Sequence, residues 1–189
     1  MNRCPWPAND PLMVEYHDKE WGTPLHNDRL IYEFLVLEGV QAGLSWQIVL
    51  RKRENYRKAC HEFDPERIAK YGARDIKRLL NDAGIIRNRM KIEAMITNAQ
   101  KFLEVQDQFG TFDKYIWQFV DGEPIQNNFT MLSQLPATSK ESDVLSKDLK
   151  QRGFKFVGST IVYAHMQATG MVNDHLVECF RHKQLLKKR

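Results

Sequence analysis

Helical spacing of apolar residues runs through almost the whole of this 189-residue chain, and no stretch shows the strict alternation of a half-buried strand. Over 28–40, Leu30, Ile31, Phe34, Leu35 and Leu37 recur at helical intervals, and Asn27 or Asp28 can cap the first turn. Gly39 and Gly43 then loosen the backbone, QAGLS turns tightly, and Ser45 caps a second helix to about Cys60 with Ile48, Val49 and Tyr56 inward. Asp64 before Pro65 opens a short helix, and 73–81 forms another with Ile76, Leu79 and Leu80 on one face. A long helix follows over 89–106, then a short aromatic one over 111–119. Residues 121–139 are rich in turn formers and read as a loop. Ser142 caps a helix through Arg152, the run FKFVGSTIVYAHMQATG turns helical from about Gly158, and a last short helix holds 175–180. The expectation is an all-α fold, with residues 1–189 forming one domain.

Composition narrows the class. With 42% hydrophobic and 28% charged residues the chain has an ordinary globular balance, enough for a real core. No stretch approaches the roughly 18 apolar residues of a membrane span, and the N-terminus lacks the apolar run of a secretory signal. Three widely spaced Cys make no disulfide framework, so a reducing, cytoplasmic home is expected. Net charge is a mild +4, but basic residues gather at 51–58, 85–91, 147–155 and in the tail 181–189. On one face such loops would track phosphates. The tail alone reads as a solvated helix end.

Three of the four Trp, namely Trp6, Trp21 and Trp46, fall in the first 46 residues together with Tyr16 and Glu38. Any one of them read singly is a core aromatic or a surface acid. Trp6, however, lies between Pro5 and Pro7 on a non-helical segment, and Glu38 interrupts the apolar run FLVLEGV, where an unpaired acid is costly to bury. Indole rings around one carboxylate suit a flat, cationic, aromatic ligand, such as a nucleobase methylated on a ring nitrogen.

Three further groupings carry chemistry. In LLNDAGIIRNRMK two helices meet at a turn around Gly84, with Leu80 and Ile85 locking them. The second helix would aim free amides at a phosphate, with Arg87, Arg89 and Lys91 as counter-charge. Any two helices joined at a Gly turn would look similar. Cys4, His17, His175 and Cys179 have the ligand chemistry of a closed zinc site, the last two facing one way if helical. Their spacing fits no familiar finger, and on spacing alone a buried free Cys at each end with unrelated His residues is the simpler reading. Leu44, after Gly43 at the tip of a turn, is either a wedge for a base stack or a core side chain.

The runs RCPWPANDPL, YHDKEWG, LEGVQAGLSW, FDPERIA, DAGIIRNRMKI, RGFKFVG and GMVNDH, in this order and spacing, resemble the DNA-3-methyladenine glycosylase I family across nearly the whole chain. The resemblance implies a helix-hairpin-helix glycosylase fold, with the hairpin at about 75–100 and a zinc staple built from 4–17 and 175–179. One structural zinc on Cys4, His17, His175 and Cys179 is implied, with Cys60 outside the set. So are contacts of Glu38, Tyr16 and Trp46 with the excised base, and Trp6 and Trp21 as pocket lining. Gly43, Leu44, Gly84, Ile85, Arg87 and Lys91 would meet DNA. The expected partners are duplex DNA carrying alkylated bases and free 3-methyladenine as product, with the protein acting as a monomer. A sugar-steadying Asp or Schiff-base Lys has no clear equivalent here, which points to hydrolysis without strand cleavage, leaving an abasic site. The rival readings are a non-catalytic DNA-binding scaffold, which would lack the Trp and Glu set, and a zinc hydrolase, which would need an open metal position.

Overall fold

A computed structural model describes residues 2–186. Of the basic tail, residues 187–189 lie outside the described part. Among the described residues ten α-helices dominate: α1 (Pro11–Lys19), α2 (Asp28–Gln41), α3 (Trp46–Ala59), α4 (Pro65–Ile68), α5 (Ala73–Asn81), α6 (Arg89–Phe109), α7 (Phe112–Trp117), α8 (Lys140–Gln151), α9 (Ser159–Ala168) and α10 (Phe180–Leu186). The all-α expectation needs one small amendment. Ile125–Gln126 (β1) pairs in parallel with Val172–Asn173 (β2), too briefly to leave an alternating signature.

Helix α2 is the axis of the fold. Its residues from Ile31 to Val40 are all buried, as expected of a helix apolar on nearly every side. α3, α6, α7 and α9 pack around it, and α8 covers α9. The Asn27 side chain caps α2, Ser45 caps α3 and Asn88 caps α6, each accepting a backbone N–H of the first turn. α5 and α6 form the expected hairpin. Leu79 and Ile85 are fully buried at its base, with Leu80 and Ile76 packed beside them.

Several local expectations are corrected. α1 adds a helix to those the spacing predicts, and Asp10 with Pro11 starts it: the Asp10 carboxylate accepts from Leu12 and Met13 at 3.1 Å. Gly39 does not loosen the chain; α2 continues through it, and a Cβ there would come within 3.3 Å of Phe156. Ile48 points outward, because α3 buries Val49, Leu50, Arg53 and Tyr56. Ser139, not Ser142, caps α8, and the Ser142 Oγ returns the bond by accepting the Ser139 N–H at 2.7 Å. The last helix begins at Phe180, so His175 and Cys179 lie on a turn before it.

Candidate active site and metal cluster

A cavity of about 280 Å³ opens beside α2, close to the lower end of small-ligand pockets (~300 Å³). Its wall includes Trp6, Tyr16, Trp21, Glu38 and Trp46, so the whole aromatic and acidic set read from the sequence converges here. Trp6 comes from the N-terminal turn, Tyr16 from α1, Trp21 from the turn after it, Glu38 from α2 and Trp46 from the first turn of α3. The Tyr16 and Trp46 rings are 5.3 Å apart, and Trp6 meets Trp21 edge-on at 5.1 Å. The indole N–H groups of Trp6 and Trp46 are buried without a hydrogen-bond partner among the described residues.

Helix α2 carries two buried glutamates with opposite surroundings. Glu33 is held by Arg53 and, at 2.8 Å, by Arg57; Arg53 also reaches Glu20 at 2.6 Å and stacks over Phe34. Glu38 is only 4% exposed and has no donor or opposite charge to ionise against among the described residues. Burial pushes its carboxyl group up to about 8. In the free pocket burial therefore favours the neutral acid over the carboxylate. Burial, and next the nearby Glu38, also raises the Tyr16 phenol well above its ordinary value.

Other lining residues carried no sequence signal: Met13, Gln41, Leu132, Leu135, Ala164 and Gln167. Gln167 is anchored by its Nε2, which donates to Asp174 at 2.8 Å; Tyr163 and Asn127 donate to the same carboxylate at 2.7 Å. A second cavity of about 210 Å³ shares Glu38, Gln41 and Ala164 with the first and reaches Gly43 and Leu44. The α2–α3 turn thus stands at the pocket entrance. Gly43 has φ +77°, a left-handed backbone that favours glycine, and Leu44 is half-buried behind it.

The hairpin turn is docked on α3. Lys52 Nζ donates to the Ala83 and Gly84 carbonyls at 3.0 and 3.1 Å, and the Tyr56 hydroxyl accepts the Ile86 N–H at 3.1 Å. The Gly84 N–H is already given to Asp82 at 2.7 Å. Arg87 is exposed. Lys91 departs from the expectation of a phosphate counter-charge: its Nζ donates to the Val40 and Ala42 carbonyls, both at 2.7 Å, closing the end of α2. Desolvation there lowers its ammonium below the ordinary lysine value.

Cys4, His17, His175 and Cys179 form one buried cluster whose ligand atoms all lie within 4.8 Å of one another; Cys60, buried elsewhere, takes no place in it. The two His nitrogens are 3.2 Å apart, and Cys4 to His175, Cys179 to His17 and Cys179 to His175 have Sγ···N separations of 3.5–3.7 Å. A tetrahedron with bonds of about 2.0 Å to nitrogen and 2.3 Å to sulfur has N···N and S···N edges of about 3.3 and 3.5 Å, so the donor set fits a metal ion. The tautomers fit as well. His17 Nδ1–H donates to Asp18 at 2.8 Å, which frees Nε2, and His175 Nε2–H donates to the Trp21 carbonyl at 2.9 Å, which frees Nδ1. Arg3 in turn holds Asp18 at 2.8 Å.

Residues 6–182 match the methyladenine glycosylase family. The chain is 50% identical to DNA-3-methyladenine glycosylase 1 of Escherichia coli K12, over 95% of this chain and 96% of that one. It is 46% identical to DNA-3-methyladenine glycosylase of Haemophilus influenzae, over 94% and 96%. The solved 3-methyladenine DNA glycosylase I of Staphylococcus aureus, described for its recognition of 3-methyladenine, superposes with a TM-score of 0.92 at 38% identity, covering 95% of this chain and 96% of that one. The chain belongs to the methyladenine glycosylase family, as its sequence runs implied. Among the described residues no helix is long and apolar enough to cross a membrane.

Proposed function

We propose that this protein, working as one 189-residue glycosylase unit, excises 3-methyladenine from alkylated duplex DNA by hydrolysing the N-glycosidic bond, leaving an abasic site and the free base. The observation that carries this reading is the pairing of α2's glutamates: Glu33 is neutralised by arginines, while Glu38 faces an aromatic pocket with no partner. A methyl group on N3 gives adenine a fixed positive charge. Such a base supplies both the charge and the N–H donors that Glu38 lacks, which unmethylated adenine cannot.

The chemistry asks little of the protein. Breaking the C1′–N9 bond returns the bond's electron pair to the base, which leaves neutral, so no strong general acid is needed. A water adds to the oxocarbenium-like sugar and loses its proton to solvent. The protein's part is to receive the extruded base and hold it: Trp46 stacked on its face, Glu38 on its edge, Tyr16 in contact beside Trp46, and Trp6 and Trp21 closing the wall. On the DNA, Leu44 is read as the wedge that fills the gap, and the turn at Gly84 and Ile85 with Arg87 as the phosphate anchor. Because Lys91 is bonded to the end of α2, its role becomes that of holding the wedge turn. Zinc suits the closed Cys and His set, in a structural role, since four protein ligands leave no open position.

The test is to incubate the protein with methylated duplex DNA and identify the released bases. Release of 3-methyladenine with intact strands is expected; retention of all methylated bases by a protein that still binds DNA would favour the non-catalytic scaffold instead.

A further inference from the structure

The basic run 51–58 lies on α3, and its members have different fates. Arg51 pairs with Asp10 at 2.6 Å, Arg53 with Glu20 and Glu33, and Arg57 with Glu33 and Glu54. Those charges are neutralised within the protein. Lys58 is exposed. Lys52 is half-buried, and among the described residues no carboxylate reaches its ammonium. Its Nζ donates instead to two main-chain carbonyls of the hairpin turn, Ala83 at 3.0 Å and Gly84 at 3.1 Å. Asn55, one turn along α3, donates to the same Gly84 carbonyl at 3.2 Å.

The turn has few amides of its own to give a phosphate. The Gly84 N–H goes to the Asp82 carboxylate at 2.7 Å, the Ile86 N–H to the Tyr56 hydroxyl at 3.1 Å, and the Lys91 N–H to the Asn88 side chain at 3.2 Å. What the turn offers at Ala83 and Gly84 is carbonyl oxygen, which repels an anion. The Lys52 ammonium on those oxygens reverses the sign. An ammonium has three N–H donors and no acceptor, so two carbonyls leave one donor over. The stem is already ordered by its two bonds, so a phosphate bound there does not have to immobilise a free surface lysine. Lys91 makes a similar pair of bonds to the Val40 and Ala42 carbonyls, but there desolvation lowers its ammonium.

We propose that Lys52 is the charge with which the hairpin holds DNA: its ammonium, fixed on the Ala83 and Gly84 carbonyls, gives its remaining N–H to a backbone phosphate, with the exposed Arg87 beside it on the same turn. The inference rests on the reading that this protein grips duplex DNA through the turn at Gly84 and Ile85. It adds that the cation comes from α3, outside the hairpin's own sequence.

The experiment measures affinity for an undamaged duplex over a range of salt concentrations, for wild type, Lys52→Gln and Lys52→Arg, with melting curves alongside. Glutamine can still donate to a turn carbonyl but carries no charge; arginine keeps both. The plot of log affinity against log salt should be less steep for Lys52→Gln by about 0.9, the share of one neutralised phosphate on B-form DNA, while Lys52→Arg keeps the wild-type slope. Affinity of Lys52→Gln for free 3-methyladenine should equal that of wild type. An unchanged salt slope in folded Lys52→Gln, or equal losses of slope in both variants, would overturn the proposal. If Lys52→Gln does not fold, nitrogen NMR of the wild-type ammonium groups decides. The Lys52 signal, assigned by its loss in Lys52→Arg, should shift when duplex is added, and an unmoved signal would overturn the contact. The probe is undamaged DNA, so failure of the wild type to release 3-methyladenine would sink the glycosylase reading separately.

Discussion

The indole of Trp21 meets the imidazole of His175 edge-on, ring centroids 4.6 Å apart, while the Trp21 carbonyl accepts the N–H of that same imidazole at 2.9 Å. Trp21 then leans on Trp6, and both line the pocket. Tyr16 and His17, adjacent on α1, face the pocket and the cluster respectively. The cluster that ties the two ends of the chain therefore sits directly behind the side chains that wall the pocket.

Removing a ligand should damage both. Cys179→Ser is expected to lose its metal, lose more than about 3 kcal/mol of unfolding free energy, and bind the free base poorly. Wild type should carry about one zinc per chain by metal analysis. Full metal occupancy in Cys179→Ser would refute the ligand assignment.

Glu38→Gln keeps the shape of the pocket and removes the charge it can develop. Excision of 3-methyladenine should fall steeply while affinity for undamaged DNA stays nearly unchanged. Stability should move in the opposite direction to activity. Burial raises the folded-state value of Glu38 from 4.5 to about 8, so the wild type loses stability as pH climbs through that window, where the unfolded chain ionises first. The amide has no such slope. Glu38→Gln should match wild type near pH 4 and be more stable at pH 8, by on the order of 2–4 kcal/mol. Identical pH dependence of melting in the two proteins would contradict a desolvated Glu38.

Trp46→Ala should weaken binding of free 3-methyladenine by about 1–3 kcal/mol, the worth of stacking one base on an aromatic ring. Titration followed by fluorescence of the remaining pocket tryptophans reads this directly. Wild type should also prefer 3-methyladenine to adenine; equal affinity would mean that the pocket does not read the methylated base by shape and hydrogen bonding.

The DNA face separates into two behaviours. Arg87→Ala and Gly84→Pro should weaken binding to all duplexes alike, because phosphate contacts carry no sequence information. Leu44→Ala should slow excision from duplex far more than from single strands. Lys91→Met should follow Leu44→Ala rather than Arg87→Ala, since its ammonium closes the turn that holds Leu44. A Lys91→Met variant that loses only general DNA affinity would return Lys91 to the phosphate-binding set.

Much of this was legible before any coordinates. Helix caps and 3.6-residue spacing are local, so α2, α3 and α5 could be placed closely from the residues alone. Where competing signals sat within a few residues, the reading slipped. Two serines stand at the start of α8, and both take part in its cap. His175 and Cys179, though helically spaced, are drawn onto a turn by the cluster they join. The small parallel bridge of β1 and β2 joins segments far apart in sequence, a pairing no local pattern can reveal.

The sequence by itself determined which chemistry was available: the helices, the indoles, an acid in an apolar run, and two thiols with two imidazoles. Residue types and their periods are written locally and need no partners to be read. Only the tertiary structure decided how each group is used, because that depends on neighbours distant in the chain. It paired Glu33 with Arg53 and left Glu38 alone, and it turned Lys91 onto the end of α2.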